Sequence, residues 1–180
     1  MRKLCVPFLL ALFGFIPHIA CAQIPAAKDV VKSEAYTSFE PVARGREFQV
    51  AVVLKIRDGY HINARKPTLE YLIPTDLKVE IPAGYKASEV TYPDGTLKSF
   101  AFSQNEKLNV YTGIVVLRLK VTPPQDAPIG AQHIPLKLRY QACNDSVCLP
   151  PVRQDVDASF TVAAVGKAAH PEFFKQKIVN

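Results

Sequence analysis

The chain has 180 residues, 48% apolar side chains and a net charge of +6, with two of its positive charges at Arg2 and Lys3. That length suits one domain with a proper core. Basic residues that never cluster beyond pairs, with seven tyrosines and no tryptophan, argue against a nucleic-acid surface, and no apolar run approaches the roughly 20 residues needed to cross a bilayer.

The first 22 residues read as an export leader. Arg2 and Lys3 form the basic start, residues 6–16 the apolar stretch, and Ala20-Cys21-Ala22 a small-x-small cleavage site, with cutting expected after Ala22. Lipid attachment at Cys21 is the less favoured reading, because His18 stands where an aliphatic residue is wanted. Cleavage removes Cys5 and Cys21 and leaves Cys143 and Cys148 as the only cysteines of a soluble, exported chain spanning one domain, 23–165, and a polar tail, 166–180.

From residue 48 onward alternation dominates, which predicts strands. Phe48, Val50, Val52, Leu54 and Ile56 take every second place; so do Leu77, Val79 and Ile81, then Val115, Leu117, Leu119 and Val121. Ile134, Leu136, Leu138 and Tyr140 continue the pattern, and Val156, Ala158, Phe160 and Val162 close it. Each run puts one face in a core and the other in water. Tyr92-Pro93-Asp94-Gly95 and the stretch from Pro123 to Gly130 are turn signals, and most of the 15 prolines fall in such links. The predicted class is all-β, a two-sheet antiparallel sandwich, with a closed barrel as the alternative. Residues 58–75 and 97–107 do not fit the strand pattern and read as long loops, the places where function tends to sit on a rigid scaffold. Residues 66–72 suggest one short turn, and the tail after Val165 reads as loosely held.

Cys143 and Cys148 stand at the end of the fourth of these runs, in Tyr140-Gln141-Ala142-Cys143-Asn144-Asp145-Ser146-Val147-Cys148-Leu149-Pro150-Pro151. Carrying the alternation forward puts Ala142 on the inward face and Cys143 on the outward face, where it could meet a partner. The pair reads as two ends of a hairpin loop, close enough to bridge. As a staple it is weak: a six-residue ring contributes roughly 2 kcal/mol, against about 4.7 for a loop near 100 residues. Three readings stay open on spacing alone: redox exchange, a local structural clip, and soft-metal binding. Lys137, Arg139 and Arg153 could favour a thiolate if they lie nearby, and Asp145 would oppose it. His61, His133 and His170 show no paired ligand spacing, so no metal site and no cofactor is expected. The tripeptide Asn144-Asp145-Ser146 matches a glycosylation sequon and reads as coincidence. No phosphate loop, nucleophile elbow or zinc-protease motif is present.

The frame Tyr140-Gln141-Ala142-Cys143…Cys148-Leu149-Pro150-Pro151 resembles the signature of the N-terminal periplasmic domain of the thiol:disulfide interchange protein DsbD. Gly59-Tyr60-His61-Ile62-Asn63 with Pro67 is similar to that family's early loop, and the resemblance spans residues 35–163 or so. It implies an immunoglobulin-like sandwich in the periplasm with Cys143 and Cys148 as the redox pair. It also implies a cap loop carrying Phe102 or Phe100, and Tyr60, His61 and Asn63 beside the cysteines. The implied function is passage of electrons to thioredoxin-like periplasmic oxidoreductases, by a monomer acting alone or fed by a separate membrane electron-donor protein. Reduced Cys143 is expected to attack the partner and Cys148 to resolve the mixed disulfide. Two departures stand out: four residues rather than five between the cysteines, and His61 and Asn63 in a loop that is tyrosine-rich in the family. The alternatives kept are a non-catalytic binding sandwich with a Cys143–Cys148 clip and a periplasmic copper-binding module.

Overall fold

The computed structural model describes residues 24–103 and 106–174. The leader at 1–22, its cleavage site, Cys5 and Cys21 lie outside the described residues. Twelve strands follow in chain order among those described: β1 (Val31–Thr37), β2 (Val42–Ala43), β3 (Phe48–Ile56), β4 (His61–Asn63), β5 (Asp76–Val79) and β6 (Lys86–Ala87). Then come β7 (Thr96–Ser99), β8 (Lys107–Tyr111), β9 (Ile114–Thr122), β10 (Gly130–Tyr140), β11 (Ala142–Cys143) and β12 (Val152–Ala163), and last a single helical turn, α1 (Pro171–Phe174).

Two four-stranded sheets face each other. One has the order β1-β3-β9-β6 and the other β2-β12-β10-β5. All pairings are antiparallel except the two-residue contact of β2 with β12. The alternating residues meet between them as expected: Val50, Val52 and Leu54 with Leu117, Leu119 and Val121 from one sheet, and Ile134, Leu136 and Leu138 with Val156, Ala158 and Phe160 from the other. Phe48 and Phe160 join the two sheets with ring centres 5.1 Å apart. Burial of this size is the main driving force of the fold, each large side chain removed from water contributing about 1.5–3 kcal/mol. The class is the all-β, immunoglobulin-like antiparallel sandwich.

The structure departs from the two-sheet expectation in one respect. A third sheet, β11-β4-β8-β7, is built largely from the segments read as loops. β4 lies within 58–75, and β7 runs into 97–107. Their strands are only two to five residues long. The two shortest, β4 and β11, show no period, because alternation needs four or more positions to register, and β7 and β8 barely reach that length. Only β11 extends a predicted strand, as the continuation of β10 beyond Gln141.

The tail is also held more firmly than its composition suggested. Lys167 N–H donates to the Pro41 carbonyl (3.0 Å) and Ala169 N–H to that of Ser38 (3.0 Å). The Phe173 ring then stacks on Tyr36 at 4.5 Å. The Arg118 guanidinium donates to the Phe173 carbonyl through Nε and Nη2, at 2.9 and 2.7 Å. Tyr36, Ala51 and Arg118 stand in one row across β1, β3 and β9. Residues 166–174 therefore cross the outward face of the first sheet, and Ala51 and Val53 are buried on a face that alternation alone would leave wet.

Candidate functional site

The cysteines close a hairpin at the edge of the third sheet. Cys143 and Cys148 are disulfide-bonded with Cα atoms 4.0 Å apart. Backbone bonds flank them on both sides: Leu149 N–H donates to the Ala142 carbonyl (2.8 Å), and Asn144 N–H to that of Val147 (3.0 Å). Asn144 Oδ1 accepts the N–H groups of Ser146 (2.9 Å) and Val147 (2.8 Å), the Asx geometry that tightens a turn. The first residue of the apparent sequon thus has a structural use here. The rest of the frame is equally physical. Tyr140 is fully buried and its hydroxyl reaches the Ala27 carbonyl (3.3 Å); that burial pushes its pKa up to about 12. Gln141 Nε2 donates to the Leu149 carbonyl (3.2 Å), bracing the returning arm of the hairpin. Pro150 and Pro151 then carry the chain, without helix, into β12.

Facing is fixed by register. Cys143 pairs with His61 and Ala142 with Ile62. Directly opposed residues of an antiparallel pair share a face, with Cβ atoms about 5 Å apart. Ile62 and Ala142 belong to the main core, as does Tyr111, the partner of Ile62 on β8. His61 and Cys143 therefore look the other way, as the alternation predicted for Cys143. The expectation that this outward face is open needs correction: Cys143 is 1% exposed and His61 2%.

The cover over His61 comes from residues 99–103. The Phe100 ring lies on the His61 ring with centres 4.0 Å apart and planes 21° from parallel. Phe102 stacks beyond it, 5.5 Å from Phe100 and 6.4 Å from His61. A 3-10 turn, Ala101–Ser103, sets this arrangement. Ser103 Oγ accepts the Phe100 N–H (3.2 Å) and donates to the Glu106 carbonyl (2.6 Å). Phe100 also packs on a small second cluster of Leu72, Leu108 and Val110, where Leu72 is brought in by the turn expected near residues 66–72. Phe102 is itself 37% exposed, so an apolar ring faces solvent at the mouth of the site.

Not every expected neighbour joins this stack. Asn63 shares the face of His61 one step along β4. Its amide donates to the Ile73 carbonyl (3.0 Å), while its backbone carbonyl accepts from Thr75 Oγ1 (2.6 Å), so it ties down the following loop. Tyr60 packs against the main core from the rim. Lys137, Arg139 and Arg153 stand on the outward face of the second sheet, with Lys137 ion-paired to Glu80 at 2.9 Å. The charges that act on His61 are Asp145 and Lys98, which line a groove of about 330 Å³ with Arg57, Asp58 and Phe100. Lys98 was not expected there; its only sequence signal was a place in the non-strand segment. Burial holds the His61 pKa down at about 4, with Asp145 pulling up and Lys98 adding to the depression, so the ring is neutral at pH 7. Its Nε2 and the Asn63 Oδ1 are buried with no hydrogen-bond partner among the described residues. Among the described residues no group of three or more His, Cys, Asp or Glu could hold a metal ion. No described helix is long and apolar enough to cross a membrane.

A sandwich with one hairpin disulfide among the described residues, its Cys143 buried opposite a histidine that lies under stacked aromatic rings, defines the class: an all-β domain with an enclosed cysteine pair. The match to known proteins is consistent with that. The family model for the thiol:disulfide interchange protein DsbD, N-terminal, covers residues 27–159, so the chain belongs to that family of thiol–disulfide interchange modules. The N-terminal periplasmic domain of ScsB from Proteus mirabilis is 12% identical with a TM-score of 0.51, covering 82% of this chain and 51% of that one. The Neisseria meningitidis DsbD N-terminal domain in the reduced form is 18% identical with a TM-score of 0.44, covering 79% of this chain and 93% of that one. No curated protein matches the chain in sequence.

Proposed function

We propose that the chain is a periplasmic module that passes electrons from the Cys143–Cys148 pair to thioredoxin-like oxidoreductases, with Cys148 as the attacking sulfur. The observation that carries this reading is the asymmetry of the pair: Cys143 is 1% exposed, while Cys148 is only half-buried beside the exposed Val147. Exchange needs access as well as thiolate character, so the order expected from sequence, Cys143 first, is reversed.

In the reduced module the Cys148 thiolate attacks one sulfur of the partner's disulfide, and the partner's other sulfur leaves as a thiolate. Cys143 then attacks Cys148 Sγ, the mixed disulfide breaks, and the partner's second sulfur leaves. The module ends oxidised at Cys143–Cys148, and the partner has gained two electrons and two protons. Phe100 and Phe102 move aside for the encounter and cover the pair between encounters, which protects it from stray oxidants and small thiols.

Single-cysteine variants test this. Cys143→Ser should trap a thioredoxin-like partner as a stable mixed disulfide through Cys148, and Cys148→Ser should not. If neither variant traps a partner and the native bridge resists dithiothreitol, the pair is a structural clip.

A further inference from the structure

Nothing so far gives work to the buried imidazole opposite Cys143. His61 Nε2 is enclosed and finds no hydrogen-bond partner among the described residues, a state that ordinarily costs 1–3 kcal/mol. Its register partner across the strand pair is Cys143, whose side chain leaves the sheet on the same face. In the disulfide state that sulfur carries no hydrogen and has nothing to donate. Reduction changes this, because it places a thiol S–H on the same face of the same pair of strands as His61.

We propose that His61 is the proton acceptor of Cys143: on reduction the Cys143 thiol donates to Nε2, and Nε2 takes that proton as Cys143 attacks Cys148 in ring closure. The inference rests on the exchange reading above and deepens it. A buried thiol in apolar surroundings is a poor source of thiolate, and Cys143 is among the most enclosed residues of the site. No charged side chain stands in register with it, whereas a neutral base does. The step balances. The Cys143 S–H bond breaks and its electron pair forms the bond to Cys148 Sγ; the proton passes to Nε2; the bond from Cys148 to the partner sulfur breaks; and the departing thiolate takes its proton from the imidazolium or from water. The charged groups around His61 are Lys98 on β7, Asp145 in the hairpin loop, and Arg57 and Asp58 in the turn before β4. Asp145 is the one placed to favour the transient imidazolium, and it raises the proton affinity of the ring against the effect of Lys98. The stacked Phe100 keeps water from competing for the proton.

Reduced protein mixed with dithiobis(nitrobenzoic acid) separates the two sulfurs in time. The first thionitrobenzoate released reports attack by Cys148, and the second reports ring closure by Cys143. His61→Phe, which keeps a ring under Phe100, should leave the first phase unchanged and slow the second by ~10²-fold. The second phase in the variant should climb about tenfold per pH unit as solvent removes the thiol proton, where the native protein shows a shallower slope. His61→Gln, which can accept a hydrogen bond but not a proton, should be slowed like His61→Phe. In the native protein, nitrogen NMR of the His61 ring should show Nε2 bare in the disulfide form and hydrogen-bonded or protonated in the reduced form, a readout independent of any variant's folding. Equal second phases in native protein and both variants, or an Nε2 resonance that ignores reduction, would overturn the assignment while leaving exchange intact. Failure of the native protein to close its ring would instead sink the exchange reading itself.

Discussion

Two outward faces of this molecule obey the same alternation and meet opposite fates. On the second sheet, Lys137 and Arg139 of β10 stand over Asp155 and Arg153 of β12, wet and charged. On the third sheet, His61 and Cys143 occupy the corresponding face of β4 and β11 and are buried, with the Phe100 ring stacked on His61. The first face is finished by water. The second is finished by a segment distant in sequence, with Phe100 43 residues before Cys143 and Phe102 41 residues after His61. Burial on a continuous two-sheet core serves stability; in the proposed function, burial under a single loop serves access control. The two regions should therefore separate cleanly when each is perturbed.

The largest effect on stability should come from the sandwich. Leu138 is fully buried between the sheets, and Leu138→Ala should cost about 2–5 kcal/mol in urea unfolding. Reduction of the disulfide by dithiothreitol, measured well below the unfolding transition, should keep its native rate. A faster reduction there would mean that the core and the cap open together.

The next effect is a pH dependence centred on the covered face. The folded pKa of His61, about 4, lies below the ordinary value of 6.5 that the unfolded chain restores. The unfolded state thus binds the extra proton first. The stability tied to this neutral ring is complete above about pH 6.5 and is lost as pH falls toward 4. Near pH 4.5 the loss amounts to about 2 to 3 kcal/mol. Urea midpoints of native protein and His61→Phe, compared near pH 7 and near pH 4.5, isolate it, because carboxylate titrations are common to both. Parallel pH curves would mean that the ring is better solvated than its 2% exposure indicates.

The disulfide should matter less than either. Its loop is short, with a sequence separation of 5, and the double variant Cys143→Ser/Cys148→Ser should cost only about 2 kcal/mol. The Asn144 turn and the Leu149–Ala142 bond hold the hairpin without it. A loss as large as that of Leu138→Ala would make the bridge a structural staple and weaken the exchange reading.

The sandwich was legible because its strands are long. β3, β9, β10 and β12 each have nine to twelve residues, enough for period-2 alternation to name both the strand and its inward face. Even the facing of Cys143 followed from counting two places past Tyr140 to Ala142 and one more. What covers that face did not follow, because β4 has three residues and β11 two, too few to carry a period. The stacking of Phe100 on His61 is likewise a contact between distant segments that no local pattern encodes. Phe100 and Phe102 could be named only through the family frame. Lys98 could not be named at all, since its effect on His61 depends on β7 pairing with β8. The strap from Gly166 to Phe174 was hidden for the same reason: its composition is that of a tail, and only the Arg118 and Tyr36 partners make it part of the wall.

Phe100→Ala gives the smallest change in stability and the sharpest separation of the two regions. Phe100 is half-buried and packs on the three-residue cluster of Leu72, Leu108 and Val110 rather than on the main core. Its truncation should therefore cost about 1–2 kcal/mol, below the 3–5 typical of a fully buried phenylalanine. The same change strips the ring that lies 4.0 Å above His61 and opens the way to Cys143. Native-state reduction by dithiothreitol should accelerate by ~10-fold or more, because access is one of the terms that sets exchange rate. Phe102→Ala, removing the outer and already exposed ring, should give a smaller acceleration in the same direction. Two substitutions would then rank oppositely on the two axes: Leu138→Ala large in stability and silent in reactivity, Phe100→Ala small in stability and large in reactivity. If Phe100→Ala left the reduction rate unchanged, the cover over the disulfide would have to reside elsewhere, and the ring stack would be packing alone.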